Sequence, residues 1–352
     1  MADWLSSMQQ TYEFYIVDPA TWSDSKRLDI VKSCKISRDA DSATLGSATI
    51  DVSESVGECY IRIYLVTIQN GVQERHPLGT FLAQTPAYSF NGKIKEISID
   101  AYTPLLELKE KQPPIGYSLM KGDNIMKLAG MLTRENLRAP VVMANCSETL
   151  FNDFVASTND TWLSFLSDLI YNAKYSFYID EMGRILFSPV QDTASLQPVW
   201  TFNDDNSSIL YPELSLDHDM YDIPNVVEVI YSSGRDYYYA KAVNDDPNSP
   251  ISTVNRGREI TRRITDPGLS GNPTEAQIHE YAEQTLRSLS SLEYTVTYSH
   301  GYCPVRVGDC VRLNYERAGL RDVKAKVISQ EISCEPGCPV TETAVFTNKL
   351  WE

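Results

Sequence analysis

Residues 160–189 read DTWLSFLSDLIYNAKYSFYIDEMGRILFSP, and the apolar pattern changes its period halfway along. The first half has apolar residues at positions i, i+3, i+4, i+7, i+8 and i+11, namely Trp162, Phe165, Leu166, Leu169, Ile170 and Ala173. That spacing predicts an amphipathic helix, with Asn159 or Asp160 as its N-cap. The second half alternates, turns at residues 180–183 and returns to Pro189, which predicts a β-hairpin. We therefore expect a compact helix–hairpin unit.

The first 110 residues carry strand patterns and two Asn-Gly turns. Asn70-Gly71 and Asn91-Gly92 each lie between runs rich in β-branched and aromatic residues. Asn-Gly suits a type I′ turn because both central residues then have positive φ. Since an isolated hairpin is only marginally stable, these strands need other strands around them. The pattern predicts a small, barrel-like antiparallel β domain over residues 1–110.

The rest of the sequence divides into three further parts. Residues 111–200 begin near Pro113-Pro114 and are predicted to form an α/β domain with a helix capped by Asp123 and the helix–hairpin unit. Residues 201–245 and 293–352 alternate like strands and together predict a second β domain. Residues 246–292 between them are predicted to form an inserted loop and helix. That helix starts with a capping box, and its apolar stripe is Ile278, Tyr281, Ala282, Thr285, Leu286 and Leu289.

The helix–hairpin unit resembles the middle region of phage tail hub proteins, the central baseplate proteins of contractile-tailed phages and related injection machines. The resemblance rests on a Trp-led helix, an aromatic strand, an Asp-x-x-Gly turn and a strand ending in Ser-Pro. The order of segments, with residues 225–231 and 307–313, extends it over nearly the whole chain. It implies an α+β, mainly β fold with two small antiparallel, tail-tube-like β-barrel domains and α/β insertions. The sequence shows no sign of an appended lysozyme or spike domain, so we expect a stand-alone hub.

The charge balance restricts the classes of partner. The chain has 31 basic and 47 acidic residues, for a formal net charge of −16. Proteins that bind nucleic acid hold phosphates with clustered Lys and Arg, so we expect no specific nucleic-acid binding. No apolar run reaches the roughly 18 residues of a membrane helix, so we expect no membrane insertion. The first ten residues lack the pattern of a secretory signal, which favours assembly in the bacterial host cytoplasm.

The cysteines allow three interpretations. Cys303, Cys310, Cys334 and Cys338 lie in the final β region, near His300. Zinc sites favour two short Cys-x2–4-Cys knuckles, and only Cys334-x3-Cys338 has that spacing. Free thiols are favoured because proteins made in the cytosol usually stay reduced. A Cys334–Cys338 disulfide and a metal site remain the alternatives.

Clustered acids in this sequence favour turns over catalysis. Asp217-His218-Asp219 suggests metal ligands or an acid–base set, but neighbours along a strand face opposite ways, so a solvated loop is favoured. Asp204-Asp205 and Asp245-Asp246 lie beside Asn or Pro, which is typical of turns. The sequence has no Gly-x-Ser-x-Gly, P-loop, His-Glu-x-x-His or dinucleotide fingerprint, and Gly308-Asp309 is assigned no catalytic role. No pair of carboxylates is singled out for glycoside hydrolysis. We therefore predict no catalytic, cofactor-binding or metal residue.

The resemblance implies a structural, non-enzymatic protein. It implies a homotrimer whose six barrels form a ring, which joins the tail tube to the central spike and lets genome or tape measure pass. The implied partners are the tail tube protein, the central spike protein, the tape-measure protein and surrounding baseplate proteins, in the virion tail. Two other classes stay open. A tail-associated cell-wall hydrolase needs a conspicuous catalytic site, and a carbohydrate-binding β protein needs exposed aromatic residues in a groove.

Overall fold

A computed structural model describes residues 2–92, 94–191, 193–206, 208–233, 236–265, 267 and 273–351. The strands are β1 Gln9–Asp18, β2 Ser23–Arg27, β3 Val31–Asp39, β4 Gly46–Val52, β5 Cys59–Gln69, β6 Val72–Asn91, β7 Ile94–Tyr102, β8 Ser118–Leu119, β9 Phe154–Val155, β10 Tyr175–Ile179, β11 Ile185–Pro189, β12 Pro198–Asn203, β13 Leu210–His218, β14 Val226–Ser233, β15 Asp236–Val243, β16 Thr261–Ile264, β17 Ser291–Gly301, β18 Cys310–Tyr315, β19 Leu320–Ser333 and β20 Pro339–Lys349. The α-helices are α1 Leu106–Glu110, α2 Ile125–Asn136, α3 Trp162–Tyr171, α4 Thr253–Arg256 and α5 Glu275–Leu289. The predicted mainly β class is confirmed.

The chain forms two compact units, which we number by their order in the sequence. Unit 1 consists of Met1–Leu214 and Thr297–Ala344, and unit 2 of Ser215–Val296 and Val345–Glu352. This division does not test the four-part organisation predicted from the sequence, which stays a prediction.

One large sheet contains 13 strands. Its order is β13-β17-β20-β19-β3-β4-β7-β6-β5-β1-β2, with β18 beside β19 and β12 beside β18. The β12–β18 pairing is parallel, whereas β3 pairs antiparallel with both β4 and β19. Strands from the two ends of the chain therefore lie side by side. Among the described residues this strand order is open. The sheet does not close into the two separate barrels that the resemblance implies.

The Asn-Gly turns lie where the sequence predicts them. Asn70 and Gly71 have φ values of 51° and 77°, and they join β5 to β6 in a hairpin that starts at the Gln69–Val72 pair. The second turn joins β6 to β7, where Asn91 opposes Ile94. Lys93, part of the predicted return strand, lies outside the described residues.

The helix–hairpin unit is confirmed, with a different cap. The helix begins after Thr161, whose side chain accepts a hydrogen bond from the Ser164 N–H in a reciprocal capping box. The predicted cap Asp160 instead accepts from the Ser157 N–H at 2.7 Å, which makes it part of the preceding turn. The hairpin places Phe177 opposite Phe187 in β10 and β11. Both rings pack with α1, α2 and α3 in one core.

The cap of α2 is also displaced by one residue from its predicted position. Asn124 Oδ1 accepts the hydrogen bond from the Lys127 N–H at 2.9 Å, so Asn124 is the N-cap. The predicted cap, Asp123, accepts from the Met120 N–H at 3.1 Å. Both acceptors lie at the same helix start, and the backbone turn at Met120 decides which side chain reaches the helix.

Unit 2 contains a small sheet covered by α5. The sheet has the order β15-β14-β16. The predicted capping box is present, because Thr274 and Gln277 bond to each other's backbone N–H. Ile278, Ala282 and Leu286 are buried against the sheet, as the apolar stripe predicts. The preceding stretch, predicted to be irregular, contains α4 and β16, and residues 266 and 268–272 lie outside the described part.

Candidate functional site

The turn of the β10–β11 hairpin is held against the strands of the first 100 residues. The Met182 carbonyl accepts hydrogen bonds from Trp22 Nε1 at 2.7 Å and from Arg62 Nη2 at 3.1 Å. The Glu181 carbonyl accepts from the Thr80 hydroxyl at 3.2 Å. We call this contact the turn joint. It satisfies backbone carbonyls that the tight turn leaves without partners of their own.

Charged side chains bind the turn joint on two sides. Arg62, only 1% exposed, forms an ion pair with Asp24 at 2.7 Å. The Glu181 carboxylate lies 2.7 Å from Arg306 Nε and 3.7 Å from Arg38 Nη2. A buried guanidinium costs free energy unless it is paired and hydrogen-bonded, and here each cation has such partners. The joint therefore connects the hairpin to β3, β5 and the loop before β18.

Gly183 explains why this turn ends in glycine. Its φ of 74° lies in the left-handed region. A Cβ at this position would lie 2.7 Å from Thr80 Cβ and 3.1 Å from the Trp22 ring. Both the backbone conformation and the close packing thus require glycine. The glycine of the Asp-x-x-Gly pattern in the sequence is therefore required by the turn joint.

A cavity of 510 Å³ lies beside the turn joint in unit 1. Its lining includes Ser176 and Tyr178 of β10, together with Arg306, Asp309 and Lys326. Burial raises the pKa of Asp309, whose carboxylate accepts from the Arg306 N–H at 2.9 Å. Burial also raises the pKa of Tyr178. Arg306 pairs with Glu181 and Asp309 bonds to the backbone of its own loop, so both side chains hold residues 306–309 in position.

The seven cysteines are all thiols. Cys334 lies beside Cys34, whose carbonyl accepts a hydrogen bond from the Cys334 N–H at 2.9 Å, and no Cys334–Cys338 disulfide is formed. Cys303 lies 3.9 Å from His300 Nδ1, and the Cys310 thiol bonds to the Val311 carbonyl. Among the described residues, no group of three or more His, Cys, Asp and Glu is placed to hold a metal ion.

The Asp217-His218-Asp219 cluster is exposed, but only part of it is a loop. Strand β13 extends to His218, so the predicted loop is wrong for the first two residues. The His218 ring packs on Tyr294 at 5.1 Å, and the Asp219 carboxylate accepts from the Tyr221 N–H at 2.7 Å. The imidazole packs on an aromatic ring and the carboxylate binds a backbone N–H, so both contacts stabilise the local structure. Strand β13 thus includes Asp217 and His218, and only Asp219 follows its end.

The other two acidic pairs lie in turns. Asp246 Oδ1 accepts from the Asn248 N–H at 2.8 Å, an Asx turn of the kind the sequence predicts. Asp204 follows the end of β12 and forms an ion pair with Arg317 at 3.2 Å. The Asp246 carboxylate therefore stabilises its own turn, and the Asp204 carboxylate connects its turn to the segment that carries Arg317.

The clearest candidate for assembly is a hairpin arm, which we define as residues 86–91 of β6 and 94–96 of β7. The β5–β6 pairing ends at Ala83, and the β4–β7 pairing ends at Ile97. Beyond these points β6 and β7 pair with each other, and the described residues add no third strand. Phe90 is 74% exposed and Tyr88 is 47% exposed. The Tyr88 hydroxyl also lies 3.2 Å from the Ser55 hydroxyl, whereas the Phe90 ring stays largely exposed. A sheet edge with an exposed aromatic side chain is suited to pairing with another chain.

No helix of the described residues combines the length and apolar character needed to cross a membrane. The longest helix, α5, has 15 residues. Its apolar stripe is instead packed against the small sheet of unit 2.

Comparison with known proteins gives a likeness of fold. No family model and no curated protein matches the chain. Among solved structures, a tail protein from Neisseria meningitidis MC58 is similar at 14% identity and a TM-score of 0.61, over 96% of both chains. The 43 kDa tail protein of prophage MuSo2 from Shewanella oneidensis is similar at 10% identity and 0.63, again over 96% of both chains.

A third similar structure is part of a two-protein complex. The Francisella PdpA–VgrG complex, in its lidded form, is similar at 9% identity and a TM-score of 0.55. The match covers 98% of this chain and 53% of that one.

The two tail proteins are similar over nearly their whole length. The chain therefore has the fold of phage tail proteins, and the resemblance predicted from residues 160–189 is confirmed at the level of fold.

Proposed function

We propose that the chain is a structural hub subunit of a phage-type tail or baseplate. The observation that carries this proposal is the end-to-end likeness to two prophage and tail proteins, with 96% of each chain covered. A likeness that covers nearly all of each chain argues for a shared architecture of the whole subunit. In this role the subunit forms a homotrimeric ring between the tail tube and the central spike, through which genome or tape measure passes.

The hairpin arm is the surface we assign to self-association. Its backbone edges have no third strand among the described residues, and Phe90 is largely exposed. A partner strand added there gains main-chain hydrogen bonds and covers the aromatic ring. Closed symmetric rings are the common outcome when identical chains associate head to tail through such surfaces. We therefore propose that the arm of one copy binds the next copy.

The role is proposed to be non-enzymatic. In support, Glu181 beside the 510 Å³ cavity pairs with Arg306, and Asp309 accepts from the Arg306 backbone N–H, whereas a catalytic acid or base must meet a substrate. The proposed partners are the tail tube protein, the central spike protein, the tape-measure protein and surrounding baseplate proteins. The proposed place is the virion tail, after assembly in the bacterial host cytoplasm.

The test is the mass of the purified protein in solution, with one variant and one matched control. Light scattering after size exclusion is expected to give three copies for the wild type, alone or with the spike. Phe90→Ser is expected to weaken the trimer at least tenfold, because it removes an exposed aromatic anchor. Phe151→Ser changes an equally exposed ring in the α/β segment, 83% exposed, and should leave the trimer intact.

Electron microscopy separates the remaining classes. Rings about as wide as a phage tail support the hub. A folded monomer at all concentrations, with or without spike, contradicts it. A monomer that degrades cell wall supports the hydrolase alternative, and a monomer retained on a polysaccharide supports the carbohydrate-binding alternative.

A further inference from the structure

Two cysteines lie opposite each other where strands from the two ends of the chain meet in unit 1. The antiparallel pairing of β3 with β19 includes the Ser333–Lys35 pair, and the same register places Cys334 opposite Cys34. The Cys334 N–H donates to the Cys34 carbonyl at 2.9 Å, which continues the ladder by one pair. We call Cys34 and Cys334 the thiol pair.

Both side chains of the thiol pair belong to the same hydrophobic core. Cys34 is 5% exposed, and Cys334 is partly buried against the same cluster. A hydrogen bond with the Cys34 side chain, together with burial, raises the pKa of Cys334 well above its usual range. The two sulfur atoms therefore lie within hydrogen-bonding distance, and a reagent in solution reaches the more exposed Cys334 first.

The spacing of an antiparallel pair is compatible with a disulfide bond. Residues of a hydrogen-bonded antiparallel pair have Cα atoms about 5.5 Å apart, and disulfides join Cα atoms roughly 4.4–6.8 Å apart. Cβ atoms of opposed residues are about 4.5–5.5 Å apart, slightly more than the roughly 3.5–4.5 Å typical of a disulfide. Since Cys334 directly follows the end of β19, the small shift that a bond requires is confined to the strand end.

We propose that Cys34 and Cys334 form a disulfide bond when the folded chain meets a small-molecule disulfide such as oxidised glutathione, and that this bond locks β3 to β19. The Cys334 thiolate attacks the small disulfide, forms a mixed disulfide and releases one thiol. The Cys34 thiolate then attacks the Cys334 sulfur, forms the protein disulfide and releases the second thiol. Two protein thiols are thereby oxidised, one small disulfide is reduced, and each leaving sulfur takes up one of the two protons.

Cys338 is the competing partner for Cys334, and its surroundings favour the thiol pair instead. Cys338 is fully buried and is hydrogen-bonded to the Tyr12 side chain. The Cys338 N–H donates to the Glu335 carbonyl at 2.9 Å, and the Tyr12 hydroxyl donates to the same carbonyl at 2.7 Å. The Cys338 side chain is thus already engaged in this turn, whereas Cys34 and Cys334 face each other across the ladder.

The cross-link would close a loop that contains most of the chain. A disulfide removes conformations from the unfolded chain, and in the chain-entropy model its effect on stability grows with loop length. Oxidised unit 1 should therefore resist denaturant better than reduced unit 1. Thiols stay reduced in the cytosol and oxidise outside it, so a virion tail would acquire the bond after release. Only this timing rests on the proposed function.

The first experiment maps the bond in the wild-type protein. The folded protein is incubated at pH 8.5 with excess oxidised glutathione, its remaining thiols are alkylated, and its tryptic peptides are analysed by mass spectrometry. Trypsin releases Cys34 in residues 33–35, and both Cys334 and Cys338 in residues 327–349. We expect two of the seven thiols to disappear and these two peptides to be joined, with fragmentation placing the bond at Cys334.

The same map identifies the results that overturn the proposal. A Cys334–Cys338 bond would leave residues 327–349 as a separate peptide, lighter by two hydrogens. Seven alkylated thiols, glutathione retained at Cys334 without a cross-link, or a bond from Cys34 to Cys338 would each be equally decisive against it. None of these readouts depends on assembly into a tail, so failure here and failure of the proposed function are separate results.

The second experiment tests the lock by denaturant unfolding with and without oxidation. Oxidised wild type should unfold at a higher denaturant concentration than reduced wild type, and excess reduced thiol should reverse the shift. Cys34→Ser and Cys334→Ser should show no shift, because each lacks one sulfur of the pair. Cys146→Ser, the control at a partly buried cysteine in the α/β segment, should keep the full shift. Each comparison is made within one variant, so a general loss of stability leaves it valid, and equal midpoints for oxidised and reduced wild type would exclude a lock.

Discussion

At the scale of single residues, Gly183 lies at a position of the turn joint where no side chain fits. Gly183→Ala should lower the free energy of unfolding of unit 1 by about 2–4 kcal/mol, from left-handed strain and overpacking together. The reason is a new Cβ 2.7 Å from Thr80 Cβ. Gly116→Ala is the matched control, since Gly116 has φ 78° and nothing within 4 Å. It should cost about 1 kcal/mol in denaturant titrations, and equal costs for the two variants would contradict the packing argument.

Cys338 gives a prediction for alkaline solution. Burial raises the pKa of this thiol from 9.0 to about 12. Because the folded pKa lies above the unfolded one, the stabilisation is complete below pH 9 and is lost as pH rises towards 12. Wild type should lose about 1.4 kcal/mol per pH unit in this window through Cys338, and Cys338→Ala should lose that much less. Parallel slopes for the two proteins between pH 9 and 11 would rule out a buried, neutral thiol.

At the level of residues, the sequence predicts where a helix begins but does not identify which residue caps it. Asp160 and Thr161 are both good capping residues, and so are Asp123 and Asn124. The backbone turn before each helix decides which side chain reaches the first free N–H groups, and that turn depends on Ser157 in one case and Met120 in the other. The imidazole of His300 in β17 and the carboxylate of Glu342 in β20 lie 3.4 Å apart, yet the two residues belong to separate strand patterns, so no sequence spacing predicts their contact.

At the scale of elements, α5 depends on its apolar stripe. Leu286 is fully buried against β14 and β15, with Ile278 and Ala282 on the same face. Leu286→Asp should destabilise unit 2 by about 3–5 kcal/mol, because it leaves an unpaired charge in the core. Circular dichroism melting measures the loss.

The control for that substitution is on the exposed side of the same helix. Gln284→Asp introduces the same charge at an exposed position and removes one hydrogen bond, to Glu280. It should cost less than about 1 kcal/mol, as surface changes usually do. If Leu286→Asp melts like Gln284→Asp, the stripe is not buried in solution.

Elements held together by local contacts are predictable, and their long-range pairing is not. The helix–hairpin unit and the Asn70-Gly71 turn follow from periods and turn chemistry within some thirty residues. The β3–β19 pairing joins Ile36 to Ile332, and nothing in the sequence of either strand identifies the other as its neighbour. Alternation specifies which face is buried, while the choice of neighbour depends on packing of the whole unit. The continuous 13-strand sheet could therefore be found only in the structure.

At the scale of the whole molecule, the net charge leads to a prediction about DNA binding. Each chain carries −16, so a trimer carries three times that, −48. DNA presents about one negative charge per 1.7 Å of helix axis, and only clustered Lys and Arg would hold it by releasing counterions. A ring with an acidic inner wall repels DNA and leaves a passage of low friction. An alternative is that the acids lie outside and only maintain solubility.

The purified assembly should therefore bind duplex DNA weakly even when electrostatic screening is low. In fluorescence anisotropy at about 50 mM salt, where the Debye length is roughly 14 Å, we expect no binding below micromolar concentrations. Reversing four exposed acids to lysine on the inner wall of the assembled ring should create binding that weakens steeply with salt, as counterion release requires. The same four reversals on its outer wall serve as the control for net charge. Submicromolar binding by the wild type, or equal binding by the two variants, would refute an acidic passage.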